Sequence, residues 1–485
     1  MILTAIDSWS FDLTQFDTVW KIILQICLLL GFLLVGNMLR KLIPFLRKGN
    51  VPSALIGGLL LFLTNLVFEA FDISLVDKRI MQIITYHALA IGFAAMAFKT
   101  AKKSNKASLM HAIQNGALTG GTYMLQGALG ILVSLIFFWL GTGMFYDAGA
   151  LLPLGFGQGP GNALSWDINF TAMENSFNGQ GSVGLTIASI GFIVASIGGV
   201  AYINIFKHKK QIAIREPALV RKVEEFEDEN EISDSESVDK MSIQVAFVLL
   251  SYGLAFSIMV FFAKLTDWTG VGLFNSVAWG FNFIWCVITA TLIKMLLNFL
   301  YNKKVLKQRY INNYQMDRIS GFAFDVMIVA GVAAIDINVV VDYIWLIIAL
   351  SVVGTVATFI YIRLMTKICF KGFEHEAFLT NFGALTGTAS NGMIFLREID
   401  PNYETPMNNV YIVSQFPAMV FVAPLLLLLN MSASSLTGCY IALAVFVVLF
   451  ILYTLFMVLS GKGIIFKKKV KEAPQSETNN SSLAE

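Results

Sequence analysis

The chain has 485 residues, 56% of them from the apolar set Ala, Val, Ile, Leu, Met, Phe, Trp, Tyr and Cys, only 14% charged, with a mean hydropathy of +0.70. Soluble domains carry about 25% charged residues; this much apolar side chain cannot be buried in a compact water-soluble body, so a soluble globular enzyme is excluded and lipid must solvate much of the surface. Lys+Arg 34 against Asp+Glu 32 leaves a net charge of +2 in short scattered clusters, which argues against nucleic acid as a partner.

Apolar stretches of about 20 residues, enough to cross a bilayer as helices, lie near 19–39, 51–68, 80–98, 112–139, 182–206, 241–263, 270–298, 319–340, 343–362, 408–430 and 437–460: eleven expected spans. The N-terminus carries Asp7, Asp12 and Asp17 in place of a basic n-region, so the first span is expected to stay rather than to be cleaved as a signal. The fourth would be about 42 Å long as a helix. It contains Gly116, Gly120, Gly121, Gly127 and Gly130, and is expected to be tilted or broken. Basic clusters follow every odd-numbered span, from Arg40 and Lys41 through Lys207 and Lys209 to Lys467, Lys468 and Lys469. The other side holds Lys21, Lys78, Arg79 and Lys264, so the positive-inside rule puts the N-terminus outside and the C-terminus in the cytoplasm of a plasma membrane.

Residues 207–240 turn acidic from Glu224 to Asp239 and read as a solvated cytoplasmic linker or a regulatory docking segment; the Ser-, Asn- and Glu-rich end of the tail 462–485 reads as disordered. The linker separates five spans in 1–206 from five in 241–430, with one extra helix in 431–461. Because five is odd, the second set crosses the membrane in the opposite sense, the arrangement of an inverted repeat. Before the fifth span of each set lies a segment too apolar for a loop and too interrupted for a helix. These are LLPLGFGQGPGNALSW at 151–166, within a re-entrant segment of about 147–166 starting outside, and EAFLTNFGALTGTASNGMIFL at 376–396 starting inside. The expected fold is therefore an all-α polytopic membrane protein of two inverted-topology five-helix repeats, each with a re-entrant loop, plus one extra C-terminal span.

Non-helical backbone at membrane depth is tolerated only where it is buried in protein or lines a cavity, since each unpaired peptide group costs several kcal/mol in hydrocarbon. Two such segments entering from opposite faces bring carbonyls and helix ends to the midplane, where oxygens can hold sodium and helix N-termini a carboxylate. The alternative is a pair of ordinary surface loops. The substrate-binding candidates are Gln158, Gly159, Asn162, Ser165, Thr386, Gly387, Thr388, Ser390 and Asn391; Asp325 and Asn381 are the sodium candidates. All but the acid offer neutral groups.

The runs G-Q-G-P-G-N-A at 157–163 and G-A-L-T-G-T at 383–388, each before the fifth span of its set, resemble the sodium/glutamate symporters, a family of inverted five-span repeats with Gly-rich re-entrant loops. The resemblance implies sodium-coupled symport of glutamate or a related small anionic amino acid by alternating access. The chain departs from the family pattern at Phe156, where a Gly is usual, at Gln158, where a His is found, and in its eleventh span. The partners expected are the anionic amino acid, the bilayer and a second copy of the chain as a homodimer, with no cofactor beyond sodium as the coupling ion.

Acids inside a membrane default to functional candidates. Asp325 and Asp336 lie eleven residues apart in the expected eighth span, nearly on one helical face; Asp325 is read as a cation or substrate ligand or as the partner of a helix-end base, Asp336 as interfacial. His87 reads as a packing histidine or a proton relay, Lys294 as a snorkelling base, and Arg397 as a carboxylate partner or an interfacial anchor. Cys27, Cys286, Cys369 and Cys439 read as small core residues. Enzyme chemistry finds no support: His375-Glu376 lacks the second zinc-binding His because position 379 is Leu, and neither a dinucleotide fingerprint nor a Walker A run is present. A passive channel, a membrane-bound sensor and a sodium-coupled transporter of another small carboxylate are the competing readings.

Overall fold

The computed structural model describes residues 18–49, 51–99, 106–173, 177–209, 240–270, 273–401 and 404–462; residues 210–239 of the linker and the tail from 463 lie outside the described residues. The described residues form helices and no strand. In chain order these are α1 (Thr18–Leu42), α2 (Pro44–Lys48), α3 (Ser53–Glu69), α4 (Lys78–Phe98) and α5 (Lys106–Trp139); a run made of a 3-10 turn (Ala148–Ala150), α6 (Leu151–Pro153) and a π-turn (Leu154–Gln158); then α7 (Pro160–Ala172) and α8 (Ser182–His208). The second half holds α9 (Lys240–Thr269), α10 (Leu273–Gly280), α11 (Asn282–Asn302), α12 (Asn313–Ala333), α13 (Ile337–Asp342), α14 (Ile344–Cys369), α15 (Glu374–Thr386), α16 (Ala389–Ile399), α17 (Met407–Ser434) and α18 (Leu436–Gly461).

Each expected span falls on helical segments, and nine of the described helices are long and apolar enough to cross a membrane. The other two fall short for local reasons: α3 has 17 residues, about 26 Å at 1.5 Å per residue, and α12 carries Asp317, Arg318 and Asp325. This is an all-α, multi-pass membrane protein. In the most apolar stretch of α5 and of α8, 61% of the residues are buried, against 17% in α1 and α18, so α5 and α8 sit at the centre and α1 and α18 on the lipid-facing rim.

Three expectations about helix continuity are corrected. The fourth span, expected to be tilted or broken, is one unbroken 34-residue helix, so only the broken reading falls. Its glycines do not interrupt it; they admit neighbours. Gly116 faces Pro417 and Ala418, Gly120 faces Phe421, Gly121 the Tyr361 hydroxyl, and Gly130 meets Gly149 backbone to backbone, so α5 is held against α17, α14 and the start of the 148–158 run. The seventh span, expected to be continuous, breaks at Phe281 between α10 and α11. The eighth ends at Ala333, and Asp336 stands outside it as the N-cap of α13, its carboxylate accepting the Asn338 amide at 3.0 Å and an ion pair from Lys78 at 2.9 Å. Asp325 and Asp336 therefore do not share a helical face. Cys286, Cys369 and Cys439 are buried as expected, but Cys27 is exposed on α1.

The halves repeat each other in packing. Helix α1 packs on α3 as α9 packs on α11, α3 crosses onto α12 as α11 crosses onto α4, α1 touches α12 as α9 touches α4, and α4 and α12 pack together. The correspondence reaches single hydrogen bonds. Gln25 of α1 donates to the Leu75 carbonyl (2.8 Å) and accepts the amide of Asp77 (3.1 Å), which N-caps α4 by accepting from Ile80. Gln244 of α9 donates to the Tyr310 carbonyl (2.7 Å) and accepts the amide of Asn312 (3.1 Å), which N-caps α12 by accepting from Gln315. In each half one glutamine ties the first helix to the two residues that start the third, supplying partners for backbone groups that a helix end would otherwise leave bare.

Candidate functional site

Both Gly-rich segments are more helical than expected: each is two helical pieces joined by a short break. The first breaks at Gly159, whose φ of +84° is open to glycine but strained for any side chain. Pro160 then opens α7, where its missing N–H costs nothing. The second breaks at Gly387 and Thr388, between α15 and α16.

Helix α8 serves as a ruler for both. Gly184 faces Ala163, Gly155 faces Ile187 and Ala188, and Gly191 meets both Phe156 and the Thr386 carbonyl. Gly387 then lies on Ala195, Gly198 and Gly199 on Phe382 and Phe395, and Tyr202 stacks on Phe378 (4.1 Å) and hydrogen-bonds His375 (2.9 Å). The first pair of pieces thus lines the Ser182 half of α8, the second lines the His208 half, and their breaks meet near the middle. A methyl group on Gly159 would stand 3.5 Å from Thr388 Cγ2, 3.8 Å from Met327 Cε and 3.9 Å from the Gly387 carbonyl.

Around this meeting point, polar atoms are buried without partners: Gln158 Oε1, Asn162 Oδ1 and Nδ2, Thr388 Oγ1, Asn391 Nδ2 and, one to two turns back along α15, Asn381 Oδ1. Asn162 is 1% exposed, Asn391 4% and Thr388 8%, and a buried polar atom lacking a hydrogen bond costs about 1–3 kcal/mol. Such a concentration is the mark of a place that takes a polar ligand. The backbone reinforces it: helix geometry leaves the amides of Gly161, Asn162, Ala389 and Ser390 without intrahelical acceptors, so the N-termini of α7 and α16 both bring partial positive charge to the breaks. The C-terminal ends of the 148–158 run and of α15 bring carbonyl oxygens. The arrangement can hold an anionic group and a hard cation side by side without any ionised side chain.

Of the other residues expected here, Ser165 donates to the Gly161 carbonyl (2.9 Å) and Thr386 to the Phe382 carbonyl (2.6 Å), so their protons are spent within their own helices. Ser390 lies half-buried in the first turn of α16. Asp325 is not brought in. It is exposed on α12, two residues before Met327 and hence about 200° round the helix from the residue that faces Gly159. His87 bonds Tyr252 across α4 and α9, and Arg397 is exposed in the last turn of α16. The Lys294 ammonium donates to the carbonyls of Ala97 (2.6 Å) and Lys99 (3.1 Å), capping the end of α4.

Sequence reasoning missed the support from α5. Gln126 donates to Thr358 Oγ1 (2.9 Å) and to the Leu385 carbonyl (3.1 Å). Asn115 donates to Ser414 (2.9 Å) and accepts from Asn381 (2.7 Å), and Tyr123 lies on Gly157. A signal existed: Asn115, Thr119, Thr122 and Gln126 follow one another at spacings of four, three and four, one polar stripe on a long apolar helix. Among the described residues no group of three or more His, Cys, Asp or Glu side chains converges. Compared with models of protein families and with curated proteins, the chain matches none.

Proposed function

We propose that the protein is a secondary active transporter of the plasma membrane that couples sodium to the symport of glutamate or a related small anionic amino acid by alternating access. In this reading the two broken segments are re-entrant hairpins of two inverted five-span repeats, entered from opposite faces, with the N-terminus outside and the C-terminus in the cytoplasm. The matched clamps of Gln25 and Gln244 and the paired packing of the two halves support the repeats; the order of contacts along α8 supports opposite entry.

The observation that carries the reading is the meeting of the two breaks with unpartnered atoms on Gln158, Asn162, Thr388 and Asn391. The substrate carboxylate takes the N-terminal amides of α7 and α16 and the Asn391 amide; sodium takes end carbonyls and the neutral oxygens of Asn162, Thr388 and Asn381. Near-complete burial of these side chains favours a site opened to one face at a time over an open pore. The test is uptake by the full chain in proteoliposomes, screened across labelled amino acids with an inward sodium gradient. Saturable, sodium-dependent uptake of an acidic amino acid is expected. Full uptake with only a proton gradient, or flux that does not saturate, would remove the symport assignment.

A further inference from the structure

A third broken helix joins the site. On α7, Asn162, Trp166 and Asn169 follow at spacings of four and three and share one face. Each carries a buried polar atom without a hydrogen-bond partner: Asn162 Oδ1 and Nδ2, Trp166 Nε1, Asn169 Nδ2. The Trp166 ring lies 5.3 Å from that of Phe281, where the seventh span is interrupted, and a methyl on Gly280 would come within 3.7 Å of its Nε1. Asn282, 0% exposed, follows directly. Its Nδ2 donates to the Tyr86 carbonyl of α4 (3.1 Å), while its Oδ1 is a further buried atom without a partner.

Unmade hydrogen bonds of this kind are disfavoured in lipid-embedded protein unless water or solute supplies the missing partner. We infer that the Asn162–Trp166–Asn169 face of α7 and the α10–α11 break around Phe281 form a hydrated passage for small hydrophilic solutes, leading from the central breaks toward the Ala172 end of α7. Donors (Trp166 Nε1, Asn169 Nδ2) and acceptors (Asn162 Oδ1, Asn282 Oδ1) both line it, which suits a solute with both kinds of group, such as an amino-acid head group with its water. The break at Phe281 is compatible with such a passage, since interrupted backbone at membrane depth is either buried in protein or lines a cavity.

The passage rests on the proposed transport function for its purpose but not for its test. In the full chain with Cys27, Cys286, Cys369 and Cys439 replaced, Asn169→Cys and Asn282→Cys are treated with a small anionic methanethiosulfonate. Ala163→Cys and Phe170→Cys, fully buried positions on α7, serve as controls. The passage requires both Asn variants to react at least tenfold faster than the controls; an Asn282→Cys rate equal to that of Ala163→Cys overturns it. Should Asn282→Cys fail to fold, Trp166→Phe keeps the ring but removes the donor, and the maximal rate of sodium-driven L-glutamate uptake should fall at least fivefold; an unchanged rate overturns the passage. If the parent chain takes up no acidic amino acid, the symport reading fails by itself while the labelling contrast still judges the passage.

Discussion

Asn162 and Asn391 stand on the first turns of two short helices that begin at the Gly159 and Gly387 breaks, and neither side chain is fully satisfied by the protein. Removing one such donor should weaken ligand binding by about 0.5–1.5 kcal/mol for a neutral partner and about 1.5–3 kcal/mol for a charged one, up to ~100-fold in affinity. Asn162→Ala and Asn391→Ala should therefore raise the apparent Kd for acidic amino acid or sodium while the protein still inserts and elutes as wild type. If these alanines and those at Gln158 and Thr388 are all silent, the breaks are mere connections. Bulk tests the same place differently. Gly159→Val forces a β-branched residue to a φ of +84°, and Gly387→Val drives a side chain into the Asn391 amide, so both should abolish transport.

The elements transmit constraint through close approach and through ion pairs at their ends. Gly130 and Gly149 meet so tightly that a methyl on Gly130 would overlap the Gly149 carbonyl, whereas nothing lies within 4 Å of a methyl on Gly31. Gly130→Ala should therefore lower the thermal midpoint in detergent. Gly31→Ala should leave it unchanged or raise it slightly, since replacing a mid-helix glycine gains about 0.5–1 kcal/mol where space permits. At the helix ends, Lys21 pairs with Asp77 (2.7 Å), and Lys78 with Asp336 (2.9 Å) and Glu69 (3.5 Å). Burial pushes both aspartates up. Lys21 with the Ile80 amide outweighs it at Asp77, and Lys78 with the Asn338 amide outweighs it at Asp336, leaving both carboxyls below the ordinary value of 3.8. A depressed carboxyl pKa stabilises the fold above its unfolded value and loses that contribution as pH falls through the folded one. Thermal stability should thus decline below about pH 4, and decline less in Asp77→Asn with Asp336→Asn, which start lower. Partial exposure of these pairs keeps the effect small. An equal acid slope in wild type and double variant would show that other carboxyls control it.

At the scale of the whole molecule, four exposed tryptophans and the basic clusters lie toward opposite ends of the helices. Trp20, Trp139, Trp268 and Trp345 are exposed at the start of α1, the ends of α5 and α9 and the start of α14, the ends that alternate crossing puts on one side; Arg40, Lys41, Lys207 and Lys367 stand at the opposite ends of α1, α8 and α14. Tryptophans anchor helices at either membrane interface, whereas the side that gathers basic residues is the one favoured for the cytoplasm. With the basic side in the cytoplasm, cysteines introduced at Asn230 and Thr478 should resist impermeant thiol reagents in intact cells. Labelling of either from outside would reverse the orientation.

Nine of the eleven expected crossings were legible in the sequence because lipid imposes a simple rule: about 20 apolar residues per crossing. That the segments 151–166 and 376–396 are interrupted was legible too, from their density of glycine and neutral polar residues, but not that each holds a single short break, at Gly159 and at Gly387–Thr388. What the sequence could not decide was which polar groups meet. Asp325, conspicuous as an acid inside an expected span, turns away from the breaks, while Asn115, Tyr123 and Gln126 of α5 support them. The same holds for the fourth and seventh spans: glycines that could have broken α5 admit α14 and α17, while the seventh span, with fewer glycines, is the one that breaks, at Phe281. A glycine reads alike in sequence whether it yields a turn or a contact surface, and only the neighbouring helix settles which. Long-range pairing also produced the Gln25 and Gln244 clamps, whose equivalence rests on hydrogen bonds 50 to 68 residues apart in the chain, beyond the reach of any local pattern.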